Sequence, residues 1–143
     1  MDTNKVLALI SEVRVAFIKL LEIELLNSSI EGMLPSYGPV LSALFKHNGK
    51  LKMKDIAGFA NRDKSTVTYL VNNLVKAGYV IKEQGREDYR ETYVILTQKA
   101  WDAEKIINNI SEHLINTAYK DFEEEEKDQL VHLLNKMKKN FGK

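Results

Sequence analysis

The sequence predicts a mainly α (α+β) fold, in which a helix-turn-helix and a short β hairpin sit between long helices at both ends. Three observations predict it. Apolar residues recur at helical spacing over both chain ends. Between Leu51 and Thr97 a short helical pattern is followed by a longer one, which Gly78 closes. Two β-prone runs then flank a polar, charged tip. The chain has 143 residues, 44% of them hydrophobic, and is expected to be one domain over residues 1–143.

The first helix is expected over residues 3–26. Val6, Ile10, Val13, Phe17 and Leu20 form one apolar stripe, and Leu7, Leu9, Ile18, Leu21 and Leu25 widen it beyond a single face. A terminal helix so broadly apolar wants two neighbours, its own core and a second subunit. Residues 27–36 read as a loop with Gly32 and Pro35 as breakers. Ser36 is expected to cap a helix running to His47, with Pro39 harmless in its first turn. Asn48-Gly49 is a turn. A short helix over residues 53–59 and a longer one over 63–76 follow, the latter capped by Asp63.

Tyr79-Val80-Ile81 and Thr92-Tyr93-Val94-Ile95 are the two strands of the hairpin, joined by residues 84–90. Thr97 caps a long helix, roughly residues 98–119. Asp121 is expected to open the last helix, with Glu124 completing a capping box. Leu130, Leu133, Leu134, Met137 and Phe141 give that helix an apolar face, while the acidic run 123–126 reads as a solvated first turn.

The totals exclude several functions. There is no cysteine, so disulfides, thiolate metal sites and sensing by cysteine oxidation are absent. No apolar run approaches the ~20 residues that span a bilayer. The N-terminus lacks the basic start and cleavage site of a signal peptide. A cytoplasmic protein with no membrane partner is expected. His47, His113 and His132 are isolated, with no motif for catalysis. His113 with Glu112 and Glu31 is the single kernel open to a metal, and its spacing carries no signature. Neither a metal site nor a cofactor is expected.

Net charge is only +1, but it is uneven. Residues 44–92 hold ten Lys and Arg against six Asp and Glu. The basic excess coincides with the helix-turn-helix and hairpin, a modest electrostatic footprint for nucleic acid. On the longer helix Val67, Leu70, Val71 and Leu74 make the buried stripe. Lys64, Ser65, Thr68, Tyr69 and Asn72 then face outward, with Thr66 at the margin. Such short polar groups suit a major groove, where Asn pairs with adenine and a Thr methyl meets thymine. The hairpin tip carries Arg86 and Arg90 around Glu87 and Asp88. An arginine on a protruding turn suits a narrow minor groove, and a carboxylate can hold its guanidinium in place.

The ordered set Leu51 with Ile56-Ala57, Ser65-Thr66-Val67-Thr68, Leu74 with Gly78-Tyr79-Val80, Asp88-x-Arg90 and Leu96-Thr97 resembles the MarR family of winged helix-turn-helix regulators. The resemblance covers nearly the whole chain. It implies a winged helix-turn-helix over residues 36–97, with dimerisation helices over 1–27 and 98–143. It implies a homodimer on pseudo-palindromic double-stranded DNA, usually repressing and released by a ligand. Arg90 would enter the minor groove with Asp88 as its orienting partner. Ser65, Thr66, Thr68, Tyr69 and Asn72 would lie on the recognition helix, Arg62 and Lys64 on phosphates, and Arg86 on the wing. Val6, Ile10, Val13, Leu130, Leu134, Met137 and Phe141 would form the dimer interface. A pocket for a small amphipathic or phenolic effector would be lined by Phe17, Met33, Tyr37 and Trp101.

The chain departs from the family pattern at Lys52, where Ser or Thr commonly caps, and at Tyr69, often an arginine. Ala100 replaces a common glycine, and the wing is short, with Gly85 and no proline. Two rival readings keep the same fold: a winged helix that binds a protein partner without DNA, and a metal-responsive regulator.

Overall fold

A computed structural model describes residues 1–142. A 3-10 turn, Thr3–Lys5, leads into α1, Val6–Leu26, and a second, Pro35–Tyr37, leads into α2, Gly38–Lys46. There follow β1 (Lys50–Lys52), α3 (Met53–Ala60), α4 (Lys64–Lys76), β2 (Val80–Gln84), β3 (Thr92–Leu96), α5 (Gln98–Ala118) and α6 (Glu124–Asn140). The architecture is the mainly α winged helix-turn-helix that the sequence predicts, with long helices at both ends.

The core lies in the middle of the chain. Val67, Leu70, Val71 and Leu74 of α4 are all buried, as their spacing requires. They pack with Val40, Leu41 and Leu44 of α2, Ile56 of α3, and Tyr79, Val80, Val94 and Leu96. Each such side chain removed from water is worth about 1.5–3 kcal/mol, so the head is held by its own interior. The flanking helices are different. α1 buries only Leu25, and α6 buries no residue among those described. Leu7, Val13, Val15 and Leu26 of α1 are exposed, as are Val131, Leu133 and Phe141 at the other end.

Three local expectations are corrected. The sheet has three strands, in the order β1-β3-β2, and is not a two-stranded hairpin. Leu51 pairs with Val94 across β1 and β3, and Val80 with Leu96 across β2 and β3. A strand of three residues is too short to show a period of two. Ser36 does not cap α2; it lies inside the 3-10 turn, whose first residue is Pro35. Proline's fixed φ starts the turn early, and Tyr37 N–H donates to Leu34 O at 3.0 Å. Asp121 does not open α6: its φ is +67°, in a turn closed by Phe122 N–H to Tyr119 O. The capping box falls two residues later, on Glu123 and Glu126. The acidic run is the first turn of α6, as expected. Among the described residues no helix is long and apolar enough to cross a membrane.

Candidate nucleic-acid interface

α4 presents its polar face because its core stripe fixes its rotation. Asp63 caps it, accepting from Thr66 N–H at 2.7 Å and from the Ser65 hydroxyl at 2.8 Å. Those two donors hold the Asp63 carboxyl below the usual carboxylate range. Lys64, Ser65, Thr68, Tyr69 and Asn72 are exposed and Thr66 is half-buried. Thr68 donates its hydroxyl to Lys64 O at 2.9 Å, which leaves its methyl and lone pairs outward. Tyr69 stands 66% exposed, a costly position for a large aromatic without a partner surface. Arg62 donates to Ala60 O and Asn61 O, at 3.3 and 3.1 Å, at the end of α3. Asn72 Oδ1 accepts from Lys82 Nζ on β2, a pairing no sequence spacing announces.

The wing joins β2 to β3. Asp88 takes Arg90 in a two-point grip, Nε to Oδ1 at 3.1 Å and Nη2 to Oδ2 at 3.3 Å. The Arg90 backbone N–H adds a third bond to Oδ1 at 3.0 Å. These bonds push the Asp88 carboxyl below its ordinary range. The Arg90 side chain is nonetheless 92% exposed, held but not covered. Arg86 is exposed at the same tip. Gly85 is required there, since a Cβ would come within 2.4 Å of Asp88 O. Lys52, which stands where the family commonly has a capping Ser or Thr, pairs with Glu91 at 3.1 Å, and Lys54 reaches the same carboxylate at 3.5 Å. The Lys52 bond comes first in depressing the Glu91 carboxyl. This clamp ties the base of the wing to the start of α3.

The chain thus presents an exposed polar face on α4 and a pre-oriented arginine on the wing. A family model described as the MarR family matches residues 40–92, which run from α2 through the helix-turn-helix to the start of β3. An uncharacterized HTH-type transcriptional regulator of Bacillus subtilis (strain 168), YkoM, is 30% identical over 121 residues, 85% of this chain and 78% of its own length. The chain belongs to the MarR family. MarR proteins are transcriptional regulators and not enzymes, which leaves the three histidines without a catalytic role. Two solved structures share the fold at 20% identity. The organohalide-sensing RdhR-CbdbA1625 regulator, with 2,4-dichlorophenol bound, superposes with a TM-score of 0.86 over 98% of this chain and 82% of its own. Sco3205, a MarR family regulator from Streptomyces coelicolor in complex with DNA, does so at 0.81 over 98% and 89%.

Of the four residues expected around an effector in this MarR chain, three lie in or against the core and Phe17 lies on α1. Tyr37 is core. Trp101 stacks edge-on against Phe45 at 5.4 Å and covers Gly49. Met33 packs against the same core and Phe17 is 42% exposed on α1. A cavity of about 250 Å³ lies elsewhere, among Ser29, Ile30, Glu31, Tyr79, Lys99 and Asp102. The Tyr79 hydroxyl donates to Glu31 O, and burial pushes its pKa up. Lys99 Nζ lies 4.5 Å over the Tyr79 ring and donates to Ala77 O. The metal kernel does not assemble: His113 Nδ1 pairs with Glu24 on α1 at 2.6 Å. Among the described residues no group of three potential ligands gathers.

Proposed function

We propose that the chain is a homodimeric, sequence-specific DNA-binding regulator acting as a ligand-responsive repressor on a pseudo-palindromic operator. One observation carries this reading: α4 presents an exposed polar face, and on the wing Asp88 holds Arg90 ready while its side chain stays open to solvent. Residues 36–97 form the reading head, and residues 1–27 and 98–142 the pairing helices, residue 143 lying outside the described residues. The groups on α4 meet base edges, Arg62 and Lys64 meet phosphates, and Arg86 and Arg90 reach the flanking minor groove. Two heads on one face of a duplex require half-sites about 34–36 Å apart.

The uncovered apolar faces of α1 and α6 support pairing through Val6, Ile10, Val13, Leu130, Leu134, Met137 and Phe141. A second chain there removes from water what one chain leaves exposed. An amphipathic or phenolic effector fits a chain without cysteine, whose signal must be bound rather than oxidised. The 2,4-dichlorophenol held by the RdhR-CbdbA1625 regulator supports that chemical class.

The test is fluorescence anisotropy on a labelled duplex from the chain's own upstream region, beside a scrambled duplex, at two salt concentrations. Preferential binding to the native duplex with a steep salt slope is the expected result, because phosphate contacts release counterions. Equal, weak binding to both at either salt concentration overturns the reading for that region and favours a protein partner.

A further inference from the structure

We propose that Lys82 is a specificity-determining residue, which by engaging Asn72 makes the pair a reader of guanine. The inference rests on the DNA-reading role of α4 proposed above. Lys82 lies on β2, outside the recognition helix, and its Nζ donates to Asn72 Oδ1. An ammonium has donors only, so its partner atom must be the amide oxygen. The chemistry thereby fixes which way the Asn72 amide points. Asn72 follows Thr68 by four residues and Tyr69 by three, so all three share the exposed face of α4.

An unengaged asparagine offers one acceptor and one donor, the pattern that matches adenine N6 and N7. Here an ammonium takes one of the two lone pairs of Asn72 Oδ1 and sets its positive charge beside the other, which disfavours a second donor such as adenine N6. What remains outward is the Asn72 NH₂ group together with the spare N–H donors of Lys82. Among the described residues Lys82 forms no ion pair, so its charge is not neutralised within the chain. Guanine alone presents two adjacent acceptors, N7 and O6, on its major-groove edge. Adenine would turn its own N6 donor toward these donors, and cytosine its N4 donor. The Lys82–Asn72 pair therefore favours guanine over adenine by roughly 5- to 150-fold at one base pair of each half-site.

The experiment selects bound sequences from a duplex pool with a randomised core, using the full chain and two variants. Asn72→Ala locates the base pair, as the position whose preference disappears. Lys82→Met keeps the aliphatic stem and removes the donors. Wild type is expected to select guanine there, and Lys82→Met to shift the choice to adenine while other positions hold. An unchanged preference in Lys82→Met, or an adenine already preferred by wild type, overturns the proposal. So does a uniform loss of affinity with no change of preference, which would make Lys82 a phosphate contact. No change at any position in Asn72→Ala overturns it as well. If wild type enriches no sequence at all, the reading of the chain as sequence-specific fails, and the inference with it.

Discussion

Arg90 and Asp63 show how single side chains prepare the surface. Arg90 is gripped at two points by Asp88, so little rotamer freedom remains to be lost on meeting a duplex. Arg90→Ala is expected to weaken binding to every duplex, by roughly tenfold or more for a charge-assisted contact. It should also flatten the salt slope by about one phosphate-equivalent. Anisotropy titrations over a salt series check both; unchanged affinity would remove Arg90 from the interface. Asp63 makes a prediction in pH. Its carboxyl sits below the usual range because it accepts from Thr66 N–H and the Ser65 hydroxyl. A depressed pKa contributes stability above the unfolded carboxylate value and loses it as pH falls through the folded one. Thermal melts of wild type and Asp63→Ala should therefore differ at neutral pH and converge in acid. Asp63→Asn, which still caps, should stay close to wild type at neutral pH. A gap independent of pH would mean the ionised cap is not what stabilises α4.

Elements differ in how far they can be read in advance. The α4 stripe was legible because 13 residues give its period several turns to repeat, and the caps at Asp63 and Thr97 have side chains with one obvious use. β1 was not legible, because Lys50–Lys52 has a single apolar residue and only its pairing with β3 makes it a strand. The start of α6 slipped by two residues because Asp121 and Glu123 are both acceptable caps; the edge-to-face rings of Tyr119 and Phe122, 5.3 Å apart, accompany the turn that decides between them. The Lys82–Asn72 and Lys52–Glu91 pairs join different elements, and no periodicity relates their positions. Gly49 is the turn on which α2 and β1 depend. Its φ is +83° and a Cβ would lie 2.6 Å from the Trp101 ring. Its N–H donates to Leu44 O while its carbonyl accepts from Leu96 N–H. Gly49→Ala should cost about 2–4 kcal/mol through left-handed strain and overcrowding, measured by urea unfolding. A cost below ~1 kcal/mol would show that Trp101 swings away freely.

At the scale of the molecule, a well-filled head is joined to first and last helices, α1 and α6, that bury almost nothing of their own. Leu134→Glu places a charge on the bare face of α6, and sedimentation is expected to show pairs for wild type and single chains for the variant. DNA affinity should fall with it, since one head keeps only half of the contacts. A Leu134→Glu protein that still pairs would move the interface off this face. The sheet order carries a separate consequence. Lys50 pairs with Ile95, so β1 and β3 close a ring of chain around α3, α4 and β2. Both helices of the turn lie within that ring, and Val94 at its seam is fully buried. The amide hydrogens of α3, α4 and the three strands should thus trade with solvent deuterium together, as one opening unit. Those of α6, outside the ring, should trade on their own schedule, faster as the protein is diluted.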